Sequence, residues 1–232
     1  MKIAGLQKVS LIDYPGCIAA TVFLAGCNLN CGYCHNRWLL DASQVHAALS
    51  PQDLVSWLGT RLGRLDGVCF SGGEPTLHVE LVDLLTAIKA LGLAVKLDTN
   101  GTWPERLGAL VEKGLVDYAA MDLKAPLDER YHAVAGVPVD VQAIRHSMAL
   151  LRSGRCQYEF RTTVLPSLDM LALEDIAAEI GPGERWYLQR FVSYPGLDPA
   201  LFQSPAPDEQ ALQSMAEQLV TLVPGIRVRG SE

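Results

Sequence analysis

Short β-rich runs alternate with longer stretches of helical spacing along most of this chain, and that alternation constrains the fold more than any other feature. The β-rich runs are 18–24, 67–70, 93–97, 116–123, 157–164 and 185–191. Between and after them come 51–65, 79–91, 104–113, 139–152, 171–180 and 208–222, which carry apolar residues at three- and four-residue intervals. A further short strand is expected at 226–228. Parallel strands need crossover segments of about a helix in length, so six repeats of this kind predict an α/β fold with a parallel sheet. Right-handed crossovers that continue in one direction curl such a sheet towards a barrel. Six units are too few for an eight-stranded closed barrel, and a doubly wound open sheet is the competing topology. No linker or low-complexity run marks a second domain, so one domain over 1–232 is expected, with 1–17 as an N-terminal segment and 18–228 as the sheet and its helices.

Hydrophobic residues make up 49% of the chain and charged residues 19%, enough for a large core. The net charge is −7 without basic clusters, which argues against nucleic acid as a partner. No apolar window is long enough for a membrane span, and residues 1–16 lack the apolar centre of a signal peptide, so a cytoplasmic location and no membrane partner are expected.

Three of the six cysteines fall in Cys27-Asn28-Leu29-Asn30-Cys31-Gly32-Tyr33-Cys34-His35-Asn36. In a reducing compartment a C-x3-C-x2-C run reads as a metal or redox site. Three thiolates are one fewer than usually close an iron–sulfur cubane, which would leave one iron open. Zinc with His35 as fourth ligand is the competing reading, but side chains of adjacent residues diverge and no second C-x2-C pair is present. Cys17, Cys69 and Cys156 read as small core residues.

In parallel α/β folds, reactive groups gather at the carboxyl ends of strands. Here those ends hold the cysteine run, Ser71-Gly72-Gly73-Glu74-Pro75-Thr76, Asp98-Thr99-Asn100-Gly101, Asp122-Leu123-Lys124, Arg161-Thr162-Thr163 and Gln189-Arg190-Phe191. Six polar ends on apolar strands predict one shared polar mouth. Paired glycines let a ligand approach the backbone, and Glu74 offers a negative charge suited to an ammonium group. Strand alternation puts Lys96 with Asp98, Asp122 with Lys124, and Glu159 with Arg161 and Thr163. An inward Arg161 needs a carboxylate partner. Rim salt bridges are the plainer reading of these charges. His78, His132 and His146 are read as surface or helix residues without a role.

Together these motifs resemble the radical S-adenosylmethionine (SAM) superfamily. The cysteine spacing, with Tyr33 before the last cysteine, is similar to its cluster loop, and Ser71-Gly72-Gly73-Glu74-Pro75 to its SAM-binding motif. The resemblance implies a partial (β/α)6 barrel, a [4Fe–4S] cluster held by Cys27, Cys31 and Cys34, and SAM cleaved reductively to a 5′-deoxyadenosyl radical. It implies that Gly72, Gly73 and Glu74 hold the SAM amino group. Tyr33, Asn36, Asp98, Asn100, Asp122, Lys124, Arg161 and Gln189 are implied to line the site, with Asp98 and Asp122 a candidate pair for a monovalent cation. Asp13-Tyr14-Pro15-Gly16, Cys34-His35-Asn36, Asp98-Thr99-Asn100-Gly101 and Asp122-Leu123-Lys124 resemble the glycyl-radical-enzyme activases, above all those serving anaerobic ribonucleoside-triphosphate reductases. That implies a glycyl radical enzyme as protein partner and reduced flavodoxin or ferredoxin as electron donor. A small-molecule enzyme such as a 7-carboxy-7-deazaguanine synthase, a pyruvate formate-lyase activase and a non-catalytic metal module are the alternatives. Strand six departs from the activase pattern, with Gln189-Arg190-Phe191 where some activases carry a histidine.

Overall fold

The computed structural model describes residues 1–194, 197, 201, 205 and 207–229. In chain order its strands are β1 (Ile3–Ser10), β2 (Ala19–Leu24), β3 (Gly67–Gly72), β4 (Ala94–Thr99), β5 (Tyr118–Asp122), β6 (Gln157–Val164), β7 (Trp186–Arg190) and β8 (Ile226–Val228). Its helices are α1 (Pro51–Gly59), α2 (Leu81–Ala90), α3 (Pro104–Glu112), α4 (Arg130–Ala135), α5 (Val141–Arg152), α6 (Met170–Ile180) and, here numbered α7, Glu209–Leu219. The α/β class and the parallel strands are as the alternation predicts. The chain divides into two compact units: Met1–Asn28, Asn36–Ala120 and Gln142–Gln157 form the first, and Leu29–His35, Met121–Val141 and Tyr158–Glu232 the second.

In the first unit β2, β3 and β4 run parallel in chain order, and β1 pairs antiparallel with β2. The sequence reading assigns no strand to residues 3–10, so β1 is an addition. Residues 4–6 are only partly buried and Gln7, Lys8 and Val9 are exposed, so the spacing of Ile3, Leu6 and Val9 carries little of the usual apolar contrast. Register places Thr21 beside Cys69 and Cys69 beside Lys96, a row of polar side chains across three strands. Below it, Tyr14 packs with Ala19, Tyr118 and Ala120, its ring 5.9 Å from that of Tyr118. Asp13 accepts from the Thr21 hydroxyl at 2.6 Å. The Asp13-Tyr14-Pro15-Gly16 turn therefore closes the amino ends of these strands, and Cys17 packs against the same cluster as a core residue.

Helix boundaries follow local chemistry. Ser50 caps α1 in a reciprocal capping box with Asp53, and Pro51 opens the helix. The helix stops at Gly59, short of the periodicity, which continues to Leu65. Asp169 and Asp208 cap α6 and α7 in the same manner.

In the second unit β6, β7 and β8 run parallel in chain order. Trp186 is fully buried, and its indole N–H donates to Thr162 Oγ1 at 3.0 Å. The buried Glu159 carboxylate takes Arg229 at 2.8 Å, and that guanidinium lies 4.3 Å over the Tyr187 ring. The six-residue α4 has no clear apolar period and is absent from the sequence reading.

Candidate active site

The first unit holds Cys27, Asn36, the glycine pair and the ends of β3 and β4. Gly72 has a φ of 112°, and a Cβ there would lie 2.5 Å from both the N and the O of Leu24. A Cβ on Gly73 would lie 1.9 Å from the Gly26 carbonyl oxygen and 3.3 Å from Cys27 N. Only glycine fits either position. Gly73 N donates to Leu24 O and Glu74 N to Gly26 O, each at 2.8 Å. The Ser71–Glu74 loop is thus fastened to the backbone immediately before the first cysteine. Cys27 N donates to Leu40 O at 3.3 Å, and Asn36 opens the 3-10 turn Arg37–Leu39 that leads there.

Glu74 is 1% exposed. Its Oε1 accepts from Thr76 N (3.1 Å), Thr76 Oγ1 (2.6 Å) and Thr99 Oγ1 (2.8 Å), and its Oε2 from Asn100 N (2.7 Å). Burial pushes its pKa up, opposed by those hydrogen bonds. The carboxylate therefore clamps the ends of β3 and β4 together, which the sequence reading, looking for an ammonium partner, does not anticipate. Asn100 continues the network: its Nδ2 donates to Asn28 Oδ1 at 3.0 Å, and its Oδ1 accepts from Thr102 Oγ1 at 2.6 Å. Asn28 Nδ2 donates back to Thr102 Oγ1 at 2.8 Å. Asn28, next to Cys27, is one of the residues that sequence reasoning missed. The only signal for it was its place in the cysteine run.

Asp98 is ion-paired with Lys96, as strand alternation predicts, and Lys96 is 1% exposed with its Nζ 3.6 Å from Cys69 Sγ. His78 is not a surface residue. It is half-buried, its Nε2 lies 2.9 Å from Ala25 O, and burial lowers its pKa.

The second unit holds Cys31, Tyr33, Cys34, Asp122, Lys124, Arg161 and Gln189. Asp122 Oδ1 accepts from Arg161 Nε at 2.9 Å and Oδ2 from Lys124 Nζ at 3.3 Å, giving Arg161 its expected carboxylate. Burial works against the charge on Asp122, but Arg161 and then Lys124 hold its carboxyl below the usual range. Lys124 Nζ stands 5.8 Å over the Tyr33 ring. Burial raises the pKa of the Cys31 thiol, with Lys124 opposing the shift. Cys34 N donates to Cys31 O at 3.1 Å. Tyr194, which the sequence reading passed over, donates its hydroxyl to Cys34 O at 2.6 Å and stacks on His35 at 4.7 Å between centroids. Gln189 stands in register with Thr163 near the end of β7.

None of the six cysteines is in a disulfide. Among the described residues no group of three His, Cys, Asp or Glu side chains is drawn together as a metal site, so the ligand assignment rests on spacing. The donor chemistry fits an iron–sulfur cluster: three thiols outside any disulfide on one eight-residue loop, with a cradle before Cys27 that any Cβ would fill.

The radical SAM superfamily profile matches residues 21–200. The chain belongs to the radical SAM superfamily. Across almost its full length this radical SAM enzyme is similar to a protein of Methanocaldococcus jannaschii provisionally named as a glycyl-radical enzyme activating enzyme, MJ1227. The two are 29% identical over 234 residues, covering 98% of this chain and 95% of that protein. It is also similar to the pyruvate formate-lyase 1-activating enzyme of Escherichia coli K12, with 32% identity over 145 residues, 59% of this chain and 57% of that one. Crystalline Streptococcus suis SuiB bound to S-adenosylmethionine shares the fold, with a TM-score of 0.69 and 14% identity over 90% of this chain and 52% of that chain. The family implies a [4Fe–4S] cluster and SAM, and the chain is homologous to glycyl-radical-enzyme activating enzymes. Among the described residues no helix is long and apolar enough to cross a membrane.

Proposed function

We propose that this chain activates a glycyl radical enzyme, most specifically an anaerobic ribonucleoside-triphosphate reductase, and works as a single radical SAM domain over 1–232. The observation that carries the activase reading is the end-to-end similarity to the M. jannaschii protein, with no inserted cysteine segment between Asn36 and Gly67. When bound, a three-thiolate [4Fe–4S] cluster with SAM supplies one-electron cleavage of the sulfonium to a 5′-deoxyadenosyl radical, which takes a hydrogen atom from a backbone glycine.

Cys27, Cys31 and Cys34 would hold the cluster. The open backbone of Gly72 and Gly73 would receive the SAM amino group, while Glu74 keeps that backbone in place through Thr76, Thr99 and Asn100. Asn36 and Asn100 would line the adenosyl side. Tyr33 would shield the loop, and Lys124 and Arg161, held by Asp122, would present cationic N–H donors to a carboxylate. Gln189 would offer an amide in place of the histidine some activases carry. A monovalent cation at Asp98 and Asp122 would compete with Lys96, Lys124 and Arg161. Reduced flavodoxin or ferredoxin would deliver the electron, in the cytoplasm.

Pyruvate formate-lyase is the second partner reading, favoured by the identity to its activases over 59% of the chain. The test is anaerobic incubation of the reconstituted protein with SAM, a reductant and each partner enzyme, followed by EPR. A glycyl radical on the reductase alone supports the proposal. A radical on pyruvate formate-lyase alone moves the assignment, and SAM cleavage without either radical refutes both.

A further inference from the structure

Tyr131, on α4, is fully buried, and its hydroxyl has no hydrogen-bond partner among the described residues. Native proteins rarely leave a buried hydroxyl unpaired. The Lys124 backbone N–H, which lowers the phenol's pKa, could only donate to it and leaves the hydroxyl's own proton without an acceptor. Lys124 Nζ is likewise a donor, and Asp122 is engaged by Arg161 and Lys124. The hydroxyl's proton therefore lacks an acceptor in the cofactor-free protein.

Position indicates what that acceptor is. The loop 29–35 is fastened to α4 within the second unit: Asn30 N donates to Ala135 O at 2.9 Å. Gly136, at a φ of 70°, sits so close that a Cβ would lie 2.2 Å from Asn30 O. Ala135 follows Tyr131 by four residues, on the same helix face. The ionisable groups acting on the phenol are Lys124, Cys31 and Asp122, and burial keeps the phenol protonated, hence a donor.

We propose that Tyr131 donates a hydrogen bond to sulfur at Cys31, either the thiolate or an adjoining cluster sulfide, and so is a positioning and tuning residue for the cluster. The proposal rests on the reading of Cys31 as a ligand. A hydrogen bond to cluster sulfur favours the more negative, reduced cluster and raises its potential.

The test is Y131F, which keeps the ring and removes the donor. In the apoprotein, the urea midpoint of Y131F should equal or exceed that of the wild type, because an unpaired hydroxyl has been removed. In the reconstituted protein without SAM, redox titration followed by EPR should show the reduced cluster disfavoured about tenfold, 59 mV for one electron. An unchanged potential overturns the proposal. So does an apoprotein destabilised by Y131F, since the hydroxyl would then have an acceptor without the cluster. An unchanged potential with a raised KM for SAM also overturns it, assigning the contact to SAM. Wild-type protein that takes up neither iron nor sulfide on reconstitution overturns the cluster reading itself, and this proposal with it.

Discussion

Replacing Glu74 by glutamine tests whether that carboxylate clamps the glycine loop or waits for a ligand. Four donors converge on it: three on Oε1 and one, Asn100 N, on Oε2. A glutamine has a single acceptor oxygen. Placed at the Oε1 position it keeps three bonds and sets its NH2 against Asn100 N–H, leaving a buried backbone donor unsatisfied at a cost of about 1–3 kcal/mol. Flipped, it serves Asn100 but opposes Thr76 N–H. The Thr99 hydroxyl meanwhile already accepts from Gly101 N at 3.1 Å. The surviving bonds also lose charge assistance and roughly half their strength. Against this, the amide escapes the desolvation that raises the Glu74 pKa. The net expectation for E74Q is a loss of about 2–4 kcal/mol, read by urea unfolding of the apoprotein, where no ligand contributes. A loss below about 0.5 kcal/mol, within the range of an ordinary surface substitution, would refute the clamp.

Asn28→Ala removes two hydrogen bonds to Thr102 and Asn100 and should destabilise the apoprotein by about 1–2 kcal/mol. It should also speed cluster loss to a chelator, followed by the bleaching of cluster absorbance. In the second unit the carboxyl of Asp122 titrates below its unfolded value. The stability this supplies is present above the usual carboxylate pKa and is lost as pH falls through the depressed one. Arg161→Met should therefore flatten the acid limb of stability against pH, with little change in its shape between pH 6 and 8. Burial, followed by Asp117, pushes the Cys156 thiol up to about 11. Its alkylation by iodoacetamide, followed by mass spectrometry, should accelerate about tenfold per pH unit between pH 8 and 10, and a plateau below pH 9 would contradict that shift.

The strands that carry the site were legible because each is a short apolar run ending in polar residues, and the pairs Lys96–Asp98 and Asp122–Lys124 followed from pleat alternation, whereas the carboxylate that meets Arg161 could not be named before β5 and β6 were placed. Less legible was the meaning of Glu74. Read singly, it is a free charge. Its donors Thr99 and Asn100 are 25 and 26 residues away and meet it only once β3 and β4 align. Asn28 was hidden for the same reason, its partners lying beyond residue 99. Tyr131 sits on a helix of six residues with no clear apolar period, and Tyr194 in a segment without secondary structure, so neither gave a pattern to read. β1 escaped notice because its outer half is exposed, and His78 because its acceptor is a backbone carbonyl 53 residues earlier in the chain.

The central claim is that this chain uses three cysteines and SAM to make a radical that activates a partner enzyme. The most direct measurement is anaerobic incubation of the reconstituted protein with SAM, dithionite and the anaerobic ribonucleoside-triphosphate reductase, quantifying 5′-deoxyadenosine and the glycyl radical together. The expected result is that both appear with the wild type and both vanish with Cys31→Ala. Cluster-loaded wild-type protein that forms no 5′-deoxyadenosine, or a Cys31→Ala variant that forms as much, would contradict it.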